Sequence, residues 1–345
     1  MTGLVFQLKP FAHGLAALLV IAALAPAARA QDPVADFYRG KTITGLIGTV
    51  AGGEYDLHTR LVLRHIGKHI PGNPNTIAQN MAGGGGIVMA NYLYSVPPKD
   101  GSYLGVINNA YPLAQAMGDD TVKFDSAKFF WLGTIAPTIE TLTVWRTTGV
   151  KTVEDARRIE VVIGATGKGS ITYTFPRMMN ELLGTKFKIV VGYRGGNEIN
   201  IAMERGEVGG RDNTWSSWKT TKAEWLAKGD IIIIAQGGPS AKDLPGVPNV
   251  EDLAKSDDDR RVMQLIVAGS RLGRPLITTP GVPADRVAAL RKAFDAVMKD
   301  PEFLAAAAQA RIEVDPIAGI ELQRQVETLL ATPKPLVDRA RKIME

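Results

Sequence analysis

The residues able to do chemistry are few, and their spacing limits what that chemistry is. The 345-residue chain has no cysteine and four histidines. Thiol catalysis, cysteine-ligated zinc and disulfides are therefore excluded. Three of the histidines, His58, His65 and His69, fall in one short segment. His65 and His69 stand four residues apart, a spacing that puts two zinc ligands on one helix face. With Glu54 and Asp56 nearby, they define one candidate chemistry, metal-assisted hydrolysis. The plainer reading is a polar helix face preceded by a cap. No G-x-S-x-G elbow is present, so a serine hydrolase lacks its usual signature. Asp119, Asp120 and Asp257 to Asp259 sit in polar stretches and read as solvated.

Carboxylate recognition is the second candidate chemistry. Arg194 and Arg211 each follow a strand-like run, and a guanidinium grips a carboxylate through two parallel hydrogen bonds. The plainer reading is a surface arginine or an ion pair between lobes. Four glycine-rich turns stand before helix-like segments: Gly52-Gly53, Gly83 to Gly86, Gly167-Lys168-Gly169-Ser170 and Gly195-Gly196. The first amides of a helix have no intrahelical partner, and its dipole favours an anion there. Glycine removes the side chains that would block the approach. None of the turns is a P-loop, and none is a full G-x-G-x-x-G after a strand, so nucleotide binding is not expected. Trp215, Trp218 and Tyr173 either floor a cleft or pack in a core, and packing is the plainer reading.

These turns need elements to hold them, and the sequence alternates strand and helix. "KTITGLIG" reads as a strand, and "DLHTRLVLRHIGKHI" as a helix with Asp56 as its cap. "NTIAQN" and "SYLGVIN" read as further strands, with "IVMANYLYSV" as the helix between them. "FFWLGTIA", "LTVWR", "EVVIGAT", "KFKIVVGY" and "DIIIIAQ" continue the strands. Thr152 caps a short helix, "VEDARR". "DIIIIAQ" is apolar throughout, as when both faces of a sheet are covered. After "PSAKDLPGVP" the chain becomes mainly helical, with a break at Asp300-Pro301. Such alternation predicts an α/β fold with largely parallel sheets. The crossovers fall near Pro137 and Gln236 to Ser240. They divide the chain into one lobe of residues 31–136 plus 237–345 and a second of 137–236, with a cleft between.

The net charge is +5, with 22% charged residues and no basic stripe, so no nucleic-acid partner is expected. Residues 1–30 place Lys9 before an apolar stretch from Leu15 to Leu24 and end in Ala28-Arg29-Ala30. That is the pattern of a cleaved signal peptide, with Gln31 as the new N-terminus and the periplasm as destination. The apolar stretch is shorter than the roughly 20 residues a membrane span needs.

The order "FYRGKTITGLIGTVAGGEYDLHTRL", "NMAGGGGIVMANYL", "PPKDGSYLG", "GYRGGNEINIAMERGEV", "LPGVPNVEDL" and "PGVPADRVAALRKAFDAVMKDPEF" resembles the periplasmic solute-binding receptors of tripartite tricarboxylate transporters, the Bug receptors. The resemblance covers nearly the whole mature chain. It implies a two-lobed, type II-like periplasmic-binding-protein fold that closes on a small organic carboxylate. It also implies delivery to membrane permease subunits, no cofactor or metal, no catalysis and a monomer. Gly52, Gly53 and Asp56 match the family's first glycine motif, where Ala51, Glu54 and Tyr55 replace the usual Pro, Gly and Thr. Asn80 and Gly83 to Gly86 match the second motif without its Arg-Pro. Tyr193, Arg194 and Gly195 match a usual Tyr-Lys-Gly, and Arg211 stands where the family is usually apolar. The residues expected at the ligand are Val50, Gly52, Gly53, Glu54, Tyr55, Asn109, Tyr111, Gly167, Lys168, Ser170, Tyr193, Arg194, Arg211 and Asp212.

Overall fold

The computed structural model describes residues 1–5 and 32–345, so the leader's apolar stretch and its cleavage site lie outside the described residues. The strands, in chain order, are β1 (Thr42–Ile47), β2 (Asn75–Asn80), β3 (Tyr103–Val106), β4 (Phe130–Thr134), β5 (Glu140–Trp145), β6 (Val161–Ala165), β7 (Phe187–Val191), β8 (Gly210–Thr214), β9 (Ile231–Gly237), β10 (Leu276–Thr278) and β11 (Ile317–Ala318). They make two sheets, ordered β11-β4-β10-β3-β1-β2 and β7-β6-β8-β5-β9. The expected two-lobed α/β architecture is observed.

Both sheets are mixed, where the sequence alternation predicts largely parallel ones. β2, β1 and β3 run parallel, as do β7, β6 and β8. β10 and β11 pair antiparallel, as does β5 with both its neighbours. The difference follows from the crossovers. β4 and β5 carry the chain from the first sheet into the second, and β9 and β10 carry it back. These linking strands supply the antiparallel pairs, while the strand–helix–strand units stay parallel.

The helices named below are α1 (Pro33–Tyr38), α2 (Glu54–Ile66), α3 (Ile87–Ser95), α4 (Tyr111–Ala116), α5 (Val153–Ala156), α6 (Ile171–Met178), α7 (Gly196–Glu204), α8 (Trp215–Thr221), α9 (Ala223–Lys228), α10 (Asp257–Val267), α11 (Ala284–Val297), α12 (Pro301–Gln309), α13 (Gly319–Leu330) and α14 (Lys334–Met344). Thr152 caps α5 in a reciprocal capping box with Asp155, as its sequence predicts. The Asp300-Pro301 break separates α11 from α12, with Asp300 capping the latter.

α2 covers the first sheet by burying Leu61, Val62 and Ile66, which join Phe294 of α11 and Phe303 of α12 in one core. Each fully buried side chain of this size contributes about 1.5–3 kcal/mol. The second core gathers Leu142, Ile163, Phe175 and Met178 with Val262 and Ile266 of α10 and Val337 and Ile343 of α14. Two helices from after the second crossover therefore pack against α6. The apolar β9 is covered on both faces, as expected. Ile232 and Ile234 face that second core, and Ile231 and Ile233 face Trp218 and Trp225.

Candidate functional site

The glycine turns stand at the carboxyl ends of the parallel strands β1, β2, β6 and β7, and they meet across the two lobes. A Cβ at Gly195 would lie 3.0 Å from Val50 Cγ2, and one at Gly167 only 2.8 Å from the carbonyl carbon of Gly84. That second distance is too short for any side chain, so position 167 needs glycine because its backbone touches that of Gly84. Between the turns lies a cavity of about 80 Å³.

Four helices begin around this space: α2 after Gly53, α3 after Gly86, α6 after Ser170 and α7 after Gly195. None of the four has a side-chain cap hydrogen bond. Gly53, Gly86, Ile171 and Gly196 line the cavity, so uncapped amides from both lobes surround it. Asp56, expected as the cap of α2, is instead its third residue. Its carboxylate accepts from Gly52 N at 3.1 Å, Arg60 Nε at 2.8 Å and Asn80 Nδ2 at 2.9 Å. It braces the turn from within and leaves the cap position bare. Gly53 itself has an ordinary φ of −86°, and a Cβ there would meet nothing within 4 Å.

The cavity also holds an unusual density of buried charge: Glu54, Glu140, Arg211, Asp212 and Arg274 all line it. Glu54 pairs with Arg274, accepts from Thr214 Oγ1 at 2.8 Å and lies 3.2 Å from His58 Nε2. Burial pushes its carboxyl upward. The Arg274 guanidinium, His58 and Thr214 outweigh burial and hold it down at about 2. Burial keeps His58 below the usual histidine range, hence neutral, with Glu54 opposing the shift. Arg274 also lies over the Tyr55 ring, 5.4 Å from its centre.

Arg211 is spent on the protein itself. Its Nε donates to Asp212 O at 2.9 Å, Nη1 to Gly196 O at 2.6 Å and Asn200 Oδ1 at 2.9 Å, and Nη2 to Asn213 Oδ1 at 3.2 Å. Its guanidinium carbon lies 5.7 Å from the Trp218 ring centre. Burial lowers its pKa to about 10, against the pull of Asp212, Glu54 and Glu140. Asp212 is raised well above the usual carboxylate range by burial and by Glu140, with Arg211 opposing. Glu140 is raised by burial, against hydrogen bonds from Thr138 and Asn109 and the charge of Arg274.

Of the residues expected at the ligand, Gly52, Gly53, Glu54, Tyr55, Arg211 and Asp212 line this cavity. Tyr111, Gly167 and Lys168 line a second, wider opening of about 730 Å³ together with Tyr173. Val50 abuts Gly195, Asn109 is buried beside Thr138 at 3.4 Å, and the Ser170 hydroxyl donates to Gly167 O at 2.8 Å. Tyr193 packs by Ile199, and Arg194 is exposed. Sequence reasoning missed Arg274, Glu140, Asn108 and Thr214. Only Thr214 carried a signal, because it lies three residues after the unusual Arg211. β8 itself was hidden, because "GRDNT" is polar although every residue in it is buried.

His65 and His69 lie elsewhere, against Asp300, at 4.0 and 2.9 Å. Lys68 Nζ already sits 2.7 Å from the same carboxylate. Hydrogen bonds from Lys68 and His69 hold Asp300 well below its usual range. His65, Asp300 and Glu302 offer ligand atoms close enough to share an ion, but none of the three lines the cavity. Trp218 packs in a core, as expected, with Nε1 donating to Thr143 Oγ1 at 2.9 Å.

No protein-family model and no curated protein matches the sequence significantly. Solved structures do match in fold. The periplasmic binding protein BugD superposes with a TM-score of 0.71 at 15% identity, covering 89% of this chain and 98% of its own. An R. palustris protein with adipate gives 0.68 at 19% identity, covering 87% and 97%. MatC from Rhodopseudomonas palustris with bound malate gives 0.68 at 18% identity, covering 88% and 99%. The chain has the two-lobed fold of these periplasmic binding proteins.

Proposed function

We propose that the protein is an extracytoplasmic solute receptor that closes its lobes on a small organic carboxylate and hands it to the permease of a tripartite tricarboxylate-type transporter. It binds without turnover, as a monomer in the periplasm, after cleavage between Ala30 and Gln31. One observation carries the reading. Four helices from two lobes start at one cavity with their first amides uncapped. Uncapped helix starts are the backbone's own anion sites, and here no side chain of the protein fills them. That similar folds hold adipate and malate supports the choice of a carboxylate. The ligand contacts are the turn Gly52 to Tyr55, Gly86, Gly196 and Arg274. The lobes are residues 31–136 plus 237–345 and residues 137–236, with α10 and α14 riding on the second through α6.

The test is a thermal-shift screen of the mature protein against mono-, di- and tricarboxylates. A ligand specific for the folded state adds about 2.7 kcal/mol at one hundred times its Kd, a clear rise in Tm. The ligand should be recovered chemically unchanged after incubation. A screen in which no carboxylate moves Tm, or in which one is converted steadily, ends this reading. Sequencing of the exported protein from Gln31 checks the leader.

A further inference from the structure

Among the described residues, one group of metal-ligating side chains stands outside the cavity, at the far end of α2. His65 and His69 have the spacing of a zinc pair, but two imidazoles alone are half a site. The fold brings the other half from 231 residues away. His65 lies in the last turn of α2, His69 ends the 3₁₀ turn Gly67–His69 that follows, and Asp300 and Glu302 open α12. His65 Nδ1 and His69 Nε2 stand 4.0 and 2.9 Å from the same atom, Asp300 Oδ2.

This geometry fits an ion better than it fits hydrogen bonding. The 4.0 Å gap at His65 is too long for a hydrogen bond. The ligands of a tetrahedral zinc stand about 3.3 Å apart, given metal–ligand distances of about 2.0–2.2 Å. The two observed distances bracket that value. Ligand atoms of His65, Asp300 and Glu302 all lie within 4.8 Å of one another. Neighbouring contacts hold the donors in place, as around bound metals. Asp300 Oδ1 accepts from Glu302 N at 3.0 Å, which leaves Oδ2 for the group. The His65 ring meets the buried Phe303 edge-on, with centroids 5.8 Å apart.

A cation already occupies the group. Lys68 Nζ sits 2.7 Å from Asp300 Oδ2 and 2.5 Å from Glu302 Oε2. It brings one positive charge to two carboxylates. Its side chain is 44% exposed, so the flexible stem can turn the ammonium out to water. A divalent ion would balance both carboxylates and take the imidazole nitrogens as well. Two nitrogens and two oxygens are a donor set that suits zinc.

We infer that His65, His69, Asp300 and Glu302 form a zinc site, in which the Lys68 ammonium is the resident cation until the metal displaces it. The ion would clip the end of α2 to the start of α12, within the first lobe. The 13 residues of α2 span about 20 Å at 1.5 Å each. The clip therefore lies a helix length from the glycine turn, and it is independent of the carboxylate reading.

The experiment is calorimetric titration of zinc into the untagged, metal-stripped mature protein, with cobalt(II) as a spectroscopic substitute. One ion per chain, a rise in Tm and the visible bands of tetrahedral cobalt are expected. His65→Ala and His69→Ala should each weaken zinc binding at least tenfold. Lys68→Met should strengthen it at least tenfold, because it removes the competing charge and none of the ligands. Circular dichroism on each sample reports the fold. A parent protein that binds no zinc overturns the inference. So does a Lys68→Met variant that binds zinc no more tightly than the parent. Zinc that binds the His65→Ala/His69→Ala double variant as tightly as the parent also overturns it, because the ion then lies elsewhere.

Discussion

Thr214 and Glu54, 160 residues apart in the chain, are joined across the cleft by a 2.8 Å hydrogen bond. Thr214 ends β8 in the second sheet, and Glu54 begins α2 behind the first. The Thr214 hydroxyl donates to Glu54, and it accepts from Arg274 Nη2 at 2.7 Å and from Ser217 N at 3.1 Å. One oxygen thus caps α8, orients Arg274 and latches the lobes. Glu54 stands where the receptors this sequence resembles usually carry glycine, so the latch is read from this chain's own residues.

Removing either partner should loosen the closed arrangement unequally. Thr214→Val keeps the shape and loses one hydroxyl, which leaves polar partners unmet at about 1–3 kcal/mol. Glu54→Gln leaves the Arg274 charge buried without its counter-ion, at about 3–5 kcal/mol. Urea unfolding of the three proteins at neutral pH gives the order directly. Equal stability of Glu54→Gln and the parent means that the pair has no net structural role.

The same pair sets the acid limit. Glu54 is held at about 2, below its ordinary 4.5. Its contribution is full above 4.5 and is lost as pH falls from there toward 2, on the order of 3 kcal/mol in all. His58, lowered by burial, acts in the same direction, because the unfolded chain takes up its proton first. Asp212 and Glu140 are raised, so their share of stability is lost as pH rises. Unfolding curves from pH 2 to 8 should show a flatter acid limb in Glu54→Gln. They should also show ligand-free Asp212→Asn more stable than the parent, most of all at pH 8. Parallel curves for all three proteins contradict the assignment.

Lobe closure depends on a backbone contact. A Cβ at Gly167 would stand 2.8 Å from both the carbonyl carbon and oxygen of Gly84. Gly167→Ala should hold the lobes apart, lower ligand affinity at least tenfold and leave each core intact. Small-angle scattering should give a larger radius of gyration with unchanged circular dichroism. An unchanged radius would show that the turns slip past one another.

Much of this fold is legible in the sequence, because its signals are local. "TITGLI" and "IIIIAQG" are apolar enough to be strands, and Thr152 with Asp155 announces a helix start. β8 is not legible. Its five residues "GRDNT" are all buried, and they are polar because they line a cavity and bond to one another. The same holds for Arg274 and Glu140. Arg274 lies 220 residues from Glu54, and only the folded chain brings them together. Arg211 was legible as an unusual residue but not in its role. A guanidinium is a carboxylate grip only if its donors are free, and Gly196, Asn200 and Asn213 have taken them.

The bare turn after β1 gives the sharpest test of the site. Gly52 has φ +87°, a conformation that a side chain would strain. Gly53 differs, with φ −86° and open space where a Cβ would stand. Nothing in the protein's own geometry requires glycine there. Asp56 already secures the turn through Gly52 N, and the cap position of α2 stays unoccupied on the cavity wall. Gly53→Val should therefore fold normally, with Tm within a few degrees of the parent. Its isopropyl group would cover the first amides of α2 and block the approach of a carboxylate. Binding should fall at least a hundredfold, about 2.8 kcal/mol at 1.4 kcal/mol per factor of ten. Calorimetric titration and circular dichroism on one sample make the comparison. Full affinity in Gly53→Val would place the ligand away from the start of α2.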